Sequence, residues 1–238
     1  MGTAIALTSL KGGVGKTTIA ENLGIVLGRM GRRILVVDCD IATAGLSNII
    51  GLIDREPNLH DLLAGRGNVE NAVYDAYGIK ILPSGTSLRG FLKADMTKLG
   101  RIIDWAKQNF DVVIIDTPPG LTKYSLAPMK TSDFILIVST QDPAAVESAA
   151  KVEEIAQTMG MKINGVVINR VRKSSFFKKL HLLNRAQIQA RLKSKILVGI
   201  PEDISVMEAA TMRRPAVLFK PKSKVSESIR LLASKLGV

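Results

Sequence analysis

Residues 4–28 read AIALTSLKGGVGKTTIAENLGIVLG, and the fold turns on how they are read. Ala4–Thr8 is a short apolar run of strand character, a glycine-rich turn follows, and from Thr17 to Leu27 the apolar residues return at helical spacing. A strand, a glycine loop and a helix in that order make a phosphate cradle. Gly12, Gly13 and Gly15 let backbone N–H groups turn inward around an anion, and the helix adds the positive end of its dipole. Lys16 is spaced to reach the β and γ phosphates of a nucleotide, and the Thr17 hydroxyl to bind Mg²⁺. The general pattern G-x-x-x-x-G-K-[ST] asks for glycine at position 10, where this chain has Leu10 followed by an additional lysine, Lys11.

Outward from this loop, short β-branched runs alternate with stretches of helical period, the pattern of parallel strands joined by helical crossovers. Strands are predicted at Ala4–Thr8, Ile34–Asp38, Ile79–Leu82, Val112–Asp116, Phe134–Ser139, Ile163–Ile168, Ile196–Gly199 and Ala216–Phe219. Helices are predicted near Thr17–Leu27, Met96–Asn109, Pro143–Met159 and Val225–Leu236, with shorter ones near Leu59–Leu63, Leu183–Leu192 and Ile204–Ala210. The runs ILVVD (34–38) and VVIID (112–116) are apolar until a terminal aspartate, as expected of strands covered on both faces. The expectation is α/β: one P-loop domain over residues 1–238, a mostly parallel twisted sheet of about eight strands with helices on both faces. Ligands of such sheets sit outside the carboxyl ends of the strands. There, Asp38, Asp40 and Asp116 are placed to order a metal-bound or attacking water, although an aspartate at a strand end also serves as a simple cap.

KGGVGKT, led by Lys11, resembles the deviant Walker A loop of the MinD/ParA family of ATPases, in which the position before that lysine varies. The resemblance extends from Ala4 to about Lys235, and NLHDLLAGRGNVENAVY (58–74) is similar to archaeal MinD-like chains. It implies ATP/ADP and Mg²⁺ as ligands, with Lys11, Gly12, Gly13, Val14, Gly15, Lys16, Thr17 and Thr18 around the phosphates. Lys11 would reach across an ATP-sandwiched homodimer to the partner's phosphates, which makes Lys11, Lys16 and Asp40 the catalytic candidates. Asp40 lies in a switch I-like stretch and would position the water. Asp116 begins the switch II-like DTPPG and joins Thr17 and Asp38 around the metal. Asn169, Arg170, Pro201, Glu202 and Asp203 match segments that close over adenine; an amide supplies the donor and acceptor that this base presents. The implied activity is an ATP-driven dimerisation switch, in division-site selection or positioning, acting on a regulatory or cargo protein.

The formal net charge of +12 favours a polyanionic partner. Ten of the basic residues lie from Lys162 to Lys195, in a stretch without aspartate or glutamate, and Phe176 and Phe177 sit among them. The strip Arg170–Lys195 suits nonspecific contact with DNA or an anionic membrane, as in a ParA-like partition ATPase, or forms a solvated basic surface. Val225, Ile229, Leu232 and Leu236 make one apolar stripe near the C-terminus, which suits core packing or a membrane-surface helix, core packing being favoured. A single cysteine, Cys39, permits no internal disulfide, and no apolar run approaches the roughly 18 residues of a membrane span. A cytoplasmic protein is expected, with peripheral attachment to membrane or nucleoid open.

Overall fold

The computed structural model describes residues 1–53, 55–172 and 181–238. Strands β1 (Thr3–Thr8), β2 (Ile34–Asp38), β3 (Tyr74–Ala76), β4 (Ile79–Leu82), β5 (Val112–Asp116), β6 (Phe134–Ser139), β7 (Ile163–Val171) and β8 (Ile196–Pro201) form one sheet. Their order is β3-β4-β2-β5-β1-β6-β7-β8, and every neighbouring pair is parallel except β3–β4 at the edge. The helices are α1 (Lys16–Arg29), α2 (Gly45–Ile49), α3 (Leu59–Leu63), α4 (Leu88–Lys93), α5 (Leu99–Asn109), α6 (Lys123–Thr131) and α7 (Pro143–Thr158). They continue with α8 (Arg185–Gln189), α9 (Ile204–Thr211), α10 (Ala216–Phe219) and α11 (Lys224–Leu236).

The central strands are apolar throughout because alternate side chains enter two cores. Ile5, Leu7, Val36 and Ile114 pack with Ile19, Leu23 and Leu232 of α1 and α11. Ala6, Leu35, Val37 and Ile115 pack on the other face with Leu63 and Ile103 of α3 and α5. Helix α1 lies close on its sheet face: a Cβ at Gly24 or Gly28 would come within 2.7 Å of Val36 or Ile79 side-chain carbons. The stripe Val225, Ile229, Leu232 and Leu236 is buried in the first core, so α11 is part of the folded body, as favoured from the sequence. Ser223 caps its start by accepting from the Ser226 N–H, and Gly237 at φ 68° ends it.

Several features correct the sequence reading. Ala216–Phe219 is helix, because Pro215 starts a turn whose carbonyl accepts from the Leu218 and Phe219 N–H groups, and the Asn22 side chain takes the Val217 N–H. The eighth strand is instead Tyr74–Ala76, antiparallel to β4. Helices α2, α4 and α6 were not expected, and the predicted 183–192 helix shrinks to Arg185–Gln189 between an Asn184–Gln187 capping box and Ala190. No helix among the described residues is long and apolar enough to cross a membrane. Lys173, Phe176, Phe177, Lys178 and Lys179 of the basic strip lie outside the described residues.

Candidate nucleotide site

After β5 the chain crosses over β1 to reach β6, so the carboxyl edge around β1 is the crevice in which an open α/β sheet binds its ligand. The glycine loop fills that edge. Gly15, at φ 95°, is the N-cap of α1; that left-handed backbone favours glycine, and a Cβ there would have to push aside the Asn169 amide. Lys16 is buried and its Nζ donates to the Ser9 hydroxyl at 3.0 Å; that hydroxyl donates to the Lys11 carbonyl at 2.8 Å. Burial lowers the Lys16 pKa, and the nearby Asp116 and Asp40 oppose the shift.

Asp38 and Asp116 are register partners on the neighbouring strands β2 and β5, and both are fully buried. Asp38 is partly satisfied: Oδ2 accepts from the Ser47 N–H (2.9 Å) and hydroxyl (2.8 Å), and Oδ1 from the Asp40 N–H (3.2 Å). Burial nonetheless pushes its pKa up to about 6. Neither oxygen of Asp116 meets full hydrogen-bond geometry with a partner among the described residues, although the Thr17 hydroxyl is close enough to pull its pKa down. Burial, followed by the charge of Asp38, pushes its pKa up to about 8, only partly offset by Thr17 and Lys16. Asp40 stands at the mouth, with Oδ2 accepting from the Thr43 hydroxyl at 2.7 Å.

Lys11 does not point at this cradle. Its Nζ lies 3.2 Å from the Asp142 carboxylate, which also caps α7 by accepting from the Ala145 N–H, and both side chains are 44% exposed. Gly12 and Gly13 are exposed and Val14 is buried beneath them. On the other flank a cleft of about 540 Å³ is lined by Gly15, Thr18, Asn169, Arg170, Pro201, Glu202 and Asp203, together with Ile204 and Met207. The predicted base-side residues are therefore brought together, but several are already engaged. The Asn169 Nδ2 donates to the Val14 carbonyl at 2.8 Å, Glu202 is paired with Arg172, and Asp203 caps α9 through the Ser205 N–H at 2.9 Å. Ser9, Ser47 and Asp142 were not found from the sequence, since a lone serine or aspartate, in a loop or in a short helix such as α2, carries no pattern until the fold brings a partner to it.

The chain as a whole is similar to known proteins. An AAA domain family model matches residues 2–167. An uncharacterized ATP-binding protein of Methanocaldococcus jannaschii is 33% identical over 99% of this chain and 88% of its own length. The solved cell division ATPase MinD of Pyrococcus furiosus superposes with a TM-score of 0.93 at 34% identity, covering 100% of this chain and 99% of that one. The septum site-determining protein MinD of Pyrococcus horikoshii, solved with Mg-ADP, gives 0.92 at 32% identity, covering 99% of this chain and 96% of that one. With a loop, an aspartate pair and a whole-chain likeness in agreement, this chain belongs to the MinD/ParA family of P-loop ATPases.

Proposed function

We propose that this protein is a Mg²⁺-dependent ATPase that works as an ATP-driven dimerisation switch in division-site selection or intracellular positioning. The observation that carries the reading is one sheet edge holding a glycine loop, Lys16 and two register-matched aspartates, with Lys11 half-exposed at its rim. The site suits a divalent cation: Asp116 is a buried carboxylate without a hydrogen-bond partner among the described residues, Asp38 is beside it, and the Thr17 hydroxyl is near. Bound with the nucleotide, Mg²⁺ would neutralise charge on the β and γ phosphates. The loop N–H groups and Lys16 would bind those phosphates, and Thr18, Asn169 and Pro201 would wall the adenine in the adjoining cleft. With Oδ2 fixed by Thr43, Asp40 would orient the attacking water through Oδ1, which takes no hydrogen bond among the described residues.

Lys11 gives the dimer its reason. Its ion pair with Asp142 is exposed on both sides, a kind of contact that contributes about 0–1 kcal/mol, so a stronger anion displaces it easily. The phosphates of a second protomer would be such an anion, and supplying a cation to developing phosphoryl charge in trans ties turnover to association. A regulatory or cargo protein would then recognise the ATP dimer, in the cytoplasm or at a membrane or nucleoid surface. Turnover per protomer should rise with protein concentration, and Lys11→Ala should abolish that rise. A per-protomer rate that is flat with concentration would sink the switch.

A second reading, ParA-like nonspecific DNA contact, is favoured by the charge. Lys162, Arg170, Arg191 and Lys195 are exposed, whereas Arg172 is paired with Glu202 and the Arg185 Nη2 donates to the Ile196 carbonyl. DNA affinity falling steeply with salt would support it, and no binding at low salt would remove it.

A further inference from the structure

His60 has no place in the reading above. It lies in α3 at 2% exposure, held by Asn58, whose side chain accepts the His60 N–H at 3.0 Å and shares a capping box with Asp61. The imidazole Nε2 is 2.9 Å from the Ile41 carbonyl oxygen. A carbonyl only accepts, so Nε2 carries the proton; burial lowers the ring's pKa, and with no acceptor for a second N–H among the described residues the ring is the neutral tautomer with a bare Nδ1. That Nδ1 is buried without a partner among the described residues, in a socket made by two glycines: a Cβ at Gly85 or Gly90 would come within 2.7 or 2.8 Å of it. An apolar side chain of similar size would fill the socket without an unpaired ring nitrogen. What histidine adds is one N–H on Ile41.

Ile41 follows Asp40 in a tight turn. The Thr43 and Ala44 N–H groups donate to the Asp40 carbonyl at 3.2 and 2.8 Å, and Ala44 sits at φ 48°. On the β2 side the same turn is tied down by Asp38, through the Asp40 N–H and Ser47. We propose that His60 is a positioning residue for ATP hydrolysis: its Nε2–H fixes the Ile41 peptide, and with it the turn that aims the Asp40 carboxylate. His60 does not line the nucleotide cleft, so its effect is on Asp40 and not on nucleotide affinity. The inference rests on the ATPase reading and adds a residue to it.

The test compares His60→Leu, which keeps the bulk and deletes the donor, with His60→Gln, whose amide reaches about as far as Nε2 and restores it. The Leu variant should lose about tenfold in kcat while nucleotide Kd and KM stay within about twofold, and the Gln variant should recover to within about threefold. Amide hydrogen exchange at Thr43 and Ala44 should speed up about tenfold in the Leu variant and return in the Gln variant, with β2 unchanged. Should His60→Leu fail to fold, His60→Asn, too short to reach Ile41, takes its place. Unchanged kcat and exchange, failure of Gln to rescue, or a kcat loss matched by an equal loss of nucleotide affinity would each overturn the proposal. If the unsubstituted protein turns over no ATP, the ATPase reading and the catalytic role fall together, while the exchange result still decides whether His60 holds the turn.

Discussion

Replacing Glu21 by glutamine should make the protein more stable at neutral pH, and by an amount that depends on pH. Glu21 lies in α1 one turn beyond Thr17, at 3% exposure. Its Oε2 has only the Asn22 amide at 3.3 Å, and Oε1 has no partner among the described residues. Burial raises its pKa from 4.5 to about 7. Below pH 4.5 the carboxyl is protonated in both the folded and unfolded chain and costs nothing extra. Between 4.5 and 7 the unfolded chain releases the proton and the folded one keeps it, so stability falls as pH rises; above 7 the loss levels off. At 1.36 kcal/mol per pKa unit the full loss is about 3 kcal/mol. Glutamine is neutral throughout, and any constant cost of its amide drops out of a pH difference. Urea unfolding of parent and Glu21→Gln without nucleotide should therefore show a stability gap that widens in favour of the variant by about 3 kcal/mol from pH 4.5 to 8. The shared titration of Asp38 and Asp116 cancels in that gap. Parallel pH profiles, with the gap constant to about 0.5 kcal/mol, would refute the buried, unpaired carboxylate as the cause.

Two further substitutions test how the site is held. Asn169→Ala removes the hydrogen bond that secures the Val14 carbonyl; ATP and ADP affinity measured by calorimetry should fall about tenfold for each nucleotide. Leu232→Ala empties a fully buried position between α11 and α1 and should cost about 2–5 kcal/mol in chemical unfolding; a loss under about 0.5 kcal/mol would return α11 to the role of a surface helix.

The central strands were legible because burial on both faces removes polar residues from the run and leaves aspartate only where the strand emerges at the ligand edge. Ile34–Asp38 and Val112–Asp116 were read with the boundaries they have. Tyr74–Ala76 was not legible: three residues at an antiparallel edge, half-exposed, carry no period. Ala216–Phe219 misled for the opposite reason. Four apolar residues are as compatible with one helical turn as with a strand, and what decides between them is the Asn22 side chain, 195 positions away in the chain. Helix α6 was hidden by its own composition, with Pro128 inside it and a Thr122–Ser125 capping box in place of an acidic start.

The site divides along the same physical line. Residues that act through backbone geometry or spacing within one segment, such as Gly12 to Thr17, can be read from that segment alone. A residue that acts by holding another segment cannot, and its candidate role shifts when the partner is seen. Asn169 looked like a reader of the base, yet its amide nitrogen binds the Val14 carbonyl 155 positions earlier, and the Cβ-free Gly15 is what lets it come that close. The β7 end therefore sets the shape of the phosphate loop before any base arrives. Loop geometry hangs on that one side chain, so a change at Asn169 should register on both nucleotides alike, including the ADP that lacks a γ phosphate. A pure base reader would leave the loop geometry intact; Asn169 cannot be removed without releasing Val14.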